Sequence, residues 1–217
     1  RLGAGEIEAA LDRLDVLVLI HPNNPSGECF APATLLAWQR RLAARGGWLV
    51  MDEAFMDATP QDSLASHAGM EGLVVLRSLG KFFGLAGARV GFAIAAEAIL
   101  ASLAEATGPW AVAHPSRHAA RAALADRDWQ AAQRVRLQRD GARLHGLLAA
   151  AGLGESSGTA LFRYLARDDA RELHEFFARR GILLRYFARP AAVRYGLPAN
   201  ETEWQRLAAT LDQWSSR

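Results

Sequence analysis

One lysine, Lys81, stands among 24 arginines in this 217-residue chain. As a plain surface charge it could as easily have been arginine. Lysine differs in having an amine that can lose its proton and act as a nucleophile. Lys81 is therefore a candidate for Schiff-base formation with a carbonyl group. Ser78 lies three residues before it and Arg89 eight after, in RSLGKFFGLAGAR (77–89). Two further polar groups follow apolar runs: Asp52 in WLVMDEAF and Asn24 in VLVLIHPNNPSG.

Taken singly, these residues have ordinary explanations. Asn-Pro-Ser-Gly is turn chemistry, and Asp52 or Ser78 could cap the segment after it. Taken together they suggest pyridoxal 5'-phosphate. That cofactor requires a lysine imine, an acid beside the pyridine nitrogen and ligands for a phosphate. Lys81 offers the first and Asp52 the second. Ser78 offers a hydroxyl to the phosphate, and Arg89 a fork-shaped cation.

The elements that must carry these groups are read from apolar periodicity. Continuous apolar runs at Val16–Ile20, Trp48–Met51, Leu73–Leu76 and Val90–Ala95 have strand length. Pro32 opens a helix that runs to Arg45, with Gly46 as its stop. Strands apolar along their whole length and separated by helices predict an α/β fold, with a mostly parallel sheet covered on both faces by helices. Ligands of such sheets sit beyond the carboxyl ends of the strands, where Asn24, Asp52, Ser78 and Lys81 fall. The segment TGPWAVAHP (107–115) reads as a linker. A helical region follows from Ser116 to Ala151, with a break near Arg127. Strands are expected at Leu161–Leu165, Ile182–Arg185 and Ala192–Tyr195, and helices at Ala170–Arg180 and Glu201–Trp214. This pattern predicts a large domain over 1–107, lacking its N-terminal portion, and a region over 108–217 that ends in a small α+β domain.

PNNPSG (22–27), DEAF (52–55) and SLGKFFGLAGARVGF (78–92) resemble the fold-type I pyridoxal-phosphate enzymes of the aspartate aminotransferase superfamily. Within it they are similar to the histidinol-phosphate aminotransferase branch. GPWAV (108–112), GTALFR (158–163) and VRYGLP (193–198) resemble the subgroup of L-threonine-O-3-phosphate decarboxylases of cobalamin biosynthesis. The resemblance implies that Lys81 is the catalytic residue and carries the cofactor, and that Asp52 pairs with the pyridinium nitrogen. It implies that Asn24 bonds the ring's phenolic oxygen, and that Ser78 and Arg89 hold the phosphate. By the same resemblance Arg194 binds the substrate carboxylate and Arg185 the substrate's own phosphate. Read without the family, both are surface arginines at strand ends. Phe55 stands where the family often has tyrosine, which leaves Asn24 alone on the phenolic oxygen. The resemblance also implies a homodimer and family segments preceding Arg1.

Other features bound the function. No run of eighteen apolar residues predicts a membrane span. The net charge is +2, and arginines alternate with acids, which argues against a nucleic-acid partner. A single cysteine, Cys29, indicates a reducing cytoplasm; it is expected to be a small buried residue. No cluster has metal-ligand spacing. His21 is expected to be a loop histidine, and Phe82 and Phe83 to pack beneath the cofactor segment. Trp110 fits the substrate channel or a core or interface position equally. The expected activity is decarboxylation of L-threonine O-3-phosphate. The alternatives are a transaminase such as histidinol-phosphate aminotransferase, and an inactive fragment.

Overall fold

The computed structural model describes residues 3–217, which divide into two compact units. The first comprises the residues up to Asn23 and Cys29–Gln130; the second comprises Asn24–Glu28 and Ala131–Arg217. Helix α5 (Arg127–Ala150) contains the division.

The first unit is built on a sheet of β1 (Val16–Ile20), β2 (Trp48–Asp52), β3 (Leu73–Ser78) and β4 (Gly91–Ala95), in that spatial order. The first three strands are parallel, and β4 runs antiparallel to β3. Helix α2 (Pro32–Ala43) crosses from β1 to β2, with Pro32 in its first turn, where a missing N–H costs nothing. Its buried residues Leu35, Trp38, Gln39 and Leu42 recur at the 3–4 spacing of one helical face. Leu35, Trp38 and Leu42 pack with Leu49, Met51, Leu73 and Val75 in the core. Leu17 and Leu19 of β1 join that side, while Val16, Val18 and Ile20 point the other way and are exposed. The register puts those three beside Trp48, Val50 and Asp52. One sheet face is thus well covered and the β1 end of the other is open, where full cover was expected.

The predicted break near Arg127 has a specific cause. Helix α4 (His114–Ala125) ends at Asp126, whose carboxylate accepts the Trp129 amide at 3.0 Å and so caps α5. Segment 107–115 lies between α3 (Glu97–Thr107) and α4. Helices α1 (Ala4–Ala10) and α3, and strand β5 (Ser157–Thr159), were not among the expected elements. Helix α1 and β5 are too short. Helix α3 places Ile99, Leu100 and Leu103 on one face, but none of its residues is buried.

The second unit has a sheet in the order β5, β6 (Phe162–Ala166), β8 (Ala191–Gly196), β7 (Arg185–Ala188), all antiparallel. Helices α6 (Ala170–Ala178) and α7 (Glu201–Ser215) supply Leu173, Phe177, Trp204, Leu207 and Leu211 to its core. Leu144 and Leu148 come from α5, and Val193 and Tyr195 from β8. The strand expected at Ile182–Arg185 begins at Arg185 instead. Gly181 and Ile182 donate back to Ala178 and Phe177 at 3.0 Å. Closing α6 uses that backbone, so the ladder starts three residues later. Among the described residues no helix is long and apolar enough to cross a membrane.

Candidate active site

Because β1, β2 and β3 are parallel, their carboxyl ends share one rim of the first unit. Asp52 and Ser78 are the last residues of β2 and β3. The ladder runs one bond further on each side: His21 N–H donates to Asp52 O, and Glu53 N–H to Leu76 O, both at 2.8 Å. One Asp52 carboxylate oxygen accepts the Ala54 amide at 3.0 Å, which turns the chain sharply away from the strand. Ser78 Oγ accepts the Gly80 amide at 3.1 Å, leaving its hydroxyl proton to donate. A Cβ at Gly80 would sit 3.3 Å from that oxygen, so glycine lets the backbone close tightly over the hydroxyl.

Lys81 follows in the turn after β3 and is exposed. Its Nζ lies 5.5 Å from the centroid of the Phe55 ring, within cation–π range. Phe82 and Phe83 are buried; Phe83 stacks on Trp129 and Phe82 meets it edge-on, which anchors the turn from below. Arg89 is the only non-glycine residue with positive φ among those described, at φ 52° and ψ 45°. The left-handed conformation is uncommon for such a residue, and it costs about 1–3 kcal/mol where the surroundings impose it. Arg89 and Lys81 form no ion pair among the described residues. The rim therefore offers one carboxylate, one hydroxyl, one amine and one unpaired guanidinium.

In the second unit the loop Asn24–Glu28 is locked against β5 by glycine. Gly27 has φ +73°, and a Cβ there would overlap the backbone of Gly158. Arg194 of β8 donates from Nη1 to Asn24 Oδ1. With that oxygen occupied, Asn24 has its amide N–H groups to offer. Arg194 faces Arg185 directly across β7 and β8. Burial, and secondarily Arg185, hold the Arg194 pKa below the usual arginine value. Like charges opposite one another on adjacent strands are unfavourable, and neither arginine has an acidic partner among the described residues. An arrangement of this kind is stabilised by an anion.

The candidate residues thus fall into two groups: Asp52, Ser78, Lys81 and Arg89 in the first unit, and Asn24, Arg185 and Arg194 in the second. Cys29 is exposed rather than buried, because it lies in the extended segment before α2 and contributes to neither core. Trp110 is 83% exposed in the turn after α3, outside either core. His21 is more constrained than a loop position suggests. It is 1% exposed, and its Nε2 lies 2.9 Å from the Phe30 amide, which donates to it. Burial pushes its pKa below the ordinary 6.5. A buried cluster of Glu53, Asp57, Ser63 and Arg77 also went without a signal in the local spacing. Its only trace in the sequence is the acid pair at 53 and 57 and the arginine next to Ser78.

Comparison with known proteins agrees with this fold. The sequence pattern of the family described as aminotransferase class I and II matches residues 2–211. A threonine-phosphate decarboxylase of Pseudomonas aeruginosa is 54% identical over 210 residues, covering 97% of this chain and 63% of that protein. A threonine-phosphate decarboxylase of Sinorhizobium sp is 43% identical over 198 residues, covering 90% of this chain and 59% of that protein. The chain thus spans about six tenths of the length of these curated relatives. A histidinol-phosphate aminotransferase of Sinorhizobium meliloti, solved in complex with pyridoxal-5'-phosphate, superposes with a TM-score of 0.88. It is 24% identical and covers 100% of this chain and 62% of that one. At that identity the likeness concerns the fold. The chain belongs to the aminotransferase class I and II family.

Proposed function

We propose that this chain is the greater part of a pyridoxal-phosphate-dependent decarboxylase acting on L-threonine O-3-phosphate, with aminopropanol phosphate as product. The donor set on the first unit's rim fits the cofactor. Lys81 would hold it covalently, Asp52 would face its ring nitrogen, and Ser78 with Arg89 would take its phosphate. Asn24, with N–H groups to spare, would donate to the ring's phenolic oxygen. Bound there, pyridoxal phosphate supplies an electron-accepting ring conjugated to the substrate's α-carbon.

The observation that carries the substrate reading is the unopposed arginine pair, Arg185 facing Arg194. Threonine phosphate has two anionic ends, a carboxylate and a phosphate, that such a pair can hold. Two guanidinium forks can grip both ends and fix the rotation about the α-carbon bonds. That rotation decides which bond stands perpendicular to the ring and breaks. Arg194 would take the carboxylate and Arg185 the phosphate. Lys81 Nζ, freed when substrate binds, would deliver the proton that replaces the departing carboxylate at the α-carbon. The two threonine-phosphate decarboxylases that this chain resembles support the same choice.

One assay separates the readings. Purified protein with pyridoxal phosphate is offered threonine phosphate, and separately histidinol phosphate with 2-oxoglutarate. Carbon dioxide release from the first alone is expected. Glutamate formation with the second alone overturns the proposal. The third reading, an inactive fragment, predicts no Lys81-dependent absorbance band with pyridoxal phosphate. We further propose a cytoplasmic homodimer serving cobalamin biosynthesis. The single cysteine supports a reducing compartment, and sedimentation of the purified protein tests the dimer.

A further inference from the structure

Behind the rim of the first unit lies a buried cluster with two carboxylates and one guanidinium. Glu53 is 0% exposed. Its Oε1 accepts the Leu64 amide at 2.8 Å, and its Oε2 accepts the Ser63 hydroxyl and Arg77 Nη1, the latter at 3.1 Å. Arg77 Nη1 also donates to Ser63 Oγ at 3.1 Å, and Nη2 donates to Asp57 Oδ1. Ser63 Oγ in turn accepts the Ala65 amide at 3.1 Å. Every arm of the Arg77 fork therefore ends on a group of the segment that follows β2.

Stability is a weak reason for such a cluster. Desolvating three charged groups costs several kcal/mol each by general estimates, roughly on the scale of what their attraction returns, and apolar residues of similar volume often serve as well. Its position is more telling. Glu53 follows Asp52 and Arg77 precedes Ser78, on strands that are parallel neighbours. Side chains alternate along a strand, so Arg77 reaches away from the face that bears Ser78. The fork ties the two rim residues together from behind, through their own chain neighbours.

We propose that Glu53 and Arg77, completed by Asp57 and Ser63, are positioning residues that set the spacing between Asp52 and Ser78. This rests on the reading that those two residues hold opposite ends of pyridoxal phosphate. A rigid aromatic ligand gripped at ring nitrogen and phosphate demands a fixed span, and an error of about 0.5 Å is enough to matter. Pyridoxal, which lacks the phosphate, makes no such demand.

The test compares binding of pyridoxal phosphate and of pyridoxal to wild-type protein, Arg77→Lys and Ser63→Ala, with thermal melting of each. Lysine keeps the charge but cannot bridge Glu53 and Asp57 as a fork. Arg77→Lys is expected to weaken pyridoxal phosphate about tenfold and pyridoxal less than about threefold. Ser63→Ala, which removes one bridging hydroxyl, is expected to shift the same ratio by about threefold and keeps the test open if Arg77→Lys fails to fold. Equal weakening of both ligands, or no change in either, overturns the proposal and leaves the cluster a structural one. If wild-type protein shows no Lys81-dependent absorbance band, the cofactor reading fails and this inference fails with it.

Discussion

On the proposed function, the property that matters at Lys81 is the neutral amine rather than the charge. Lys81→Arg preserves the cation above the Phe55 ring but removes the nucleophile. We expect the absorbance band with pyridoxal phosphate to vanish, and turnover to fall by at least about 1000-fold, since covalent catalysis has no substitute group here. Folding, followed by thermal melting, should be unaffected. On the same proposal, the property that matters at Arg185 is the charge. Arg185→Ala should raise KM for threonine phosphate by about 100-fold, the loss of a charge-assisted grip on phosphate. Cofactor affinity, measured by the same absorbance band, should be unchanged. His21 supports a prediction about stability. Burial lowers its folded-state pKa below the unfolded value of 6.5. The unfolded chain therefore binds the proton more readily, and acid favours unfolding. The contribution of neutral His21 is complete above about pH 6.5 and is lost as pH falls from there toward the folded pKa. Urea denaturation between pH 7.5 and 5 should show a steeper loss for wild type than for His21→Gln. Equal slopes would show that His21 does not govern the dependence.

At the scale of elements, caps and close approaches decide the local structure. Asp126 ends α4 and starts α5 by one side-chain bond to Trp129 N–H. Asp126→Ala should cost about 1 kcal/mol of unfolding free energy by urea titration. Gly158 is a stricter requirement. It has φ +151°, and a Cβ on it would collide with the carbonyl of Phe162 across the β5–β6 hairpin. Gly27 meets Gly158 backbone to backbone, so the loop bearing Asn24 depends on both glycines. Gly158→Ala should strain the hairpin and loosen the loop. We expect a melting temperature lowered by several degrees, consistent with about 1–3 kcal/mol of backbone strain, and faster amide exchange over 24–28. Most strands and helices were legible from local pattern, because continuous apolar runs and the 3–4 spacing of α2 are local properties. The start of β7 was not. Backbone groups of 181–182 are committed to closing α6, and that depends on how the helix ends in space.

For the whole molecule, the candidate residues could be named before the fold. The one lysine, the acid after WLVM, the Ser-x-x-Lys spacing and the following arginine specify residue types, and chemistry depends first on type. The parallel order of β1, β2 and β3 followed from apolar runs separated by helical segments, and it brings Asp52 and Ser78 to a common rim. Tertiary structure alone decided which distant groups meet. Arg185 opposes Arg194 because β7 and β8 pair in one register, and a slip of one residue would turn either side chain to the other face. Glu53 and Arg77 meet because β2 and β3 are neighbours, although 24 residues separate them. Burial of His21 and exposure of Cys29, both contrary to what their local context suggests, depend on where the core lies. A sequence specifies which groups exist and how local backbone runs. Contacts between residues far apart in the chain depend on register and packing, which no short stretch encodes by itself.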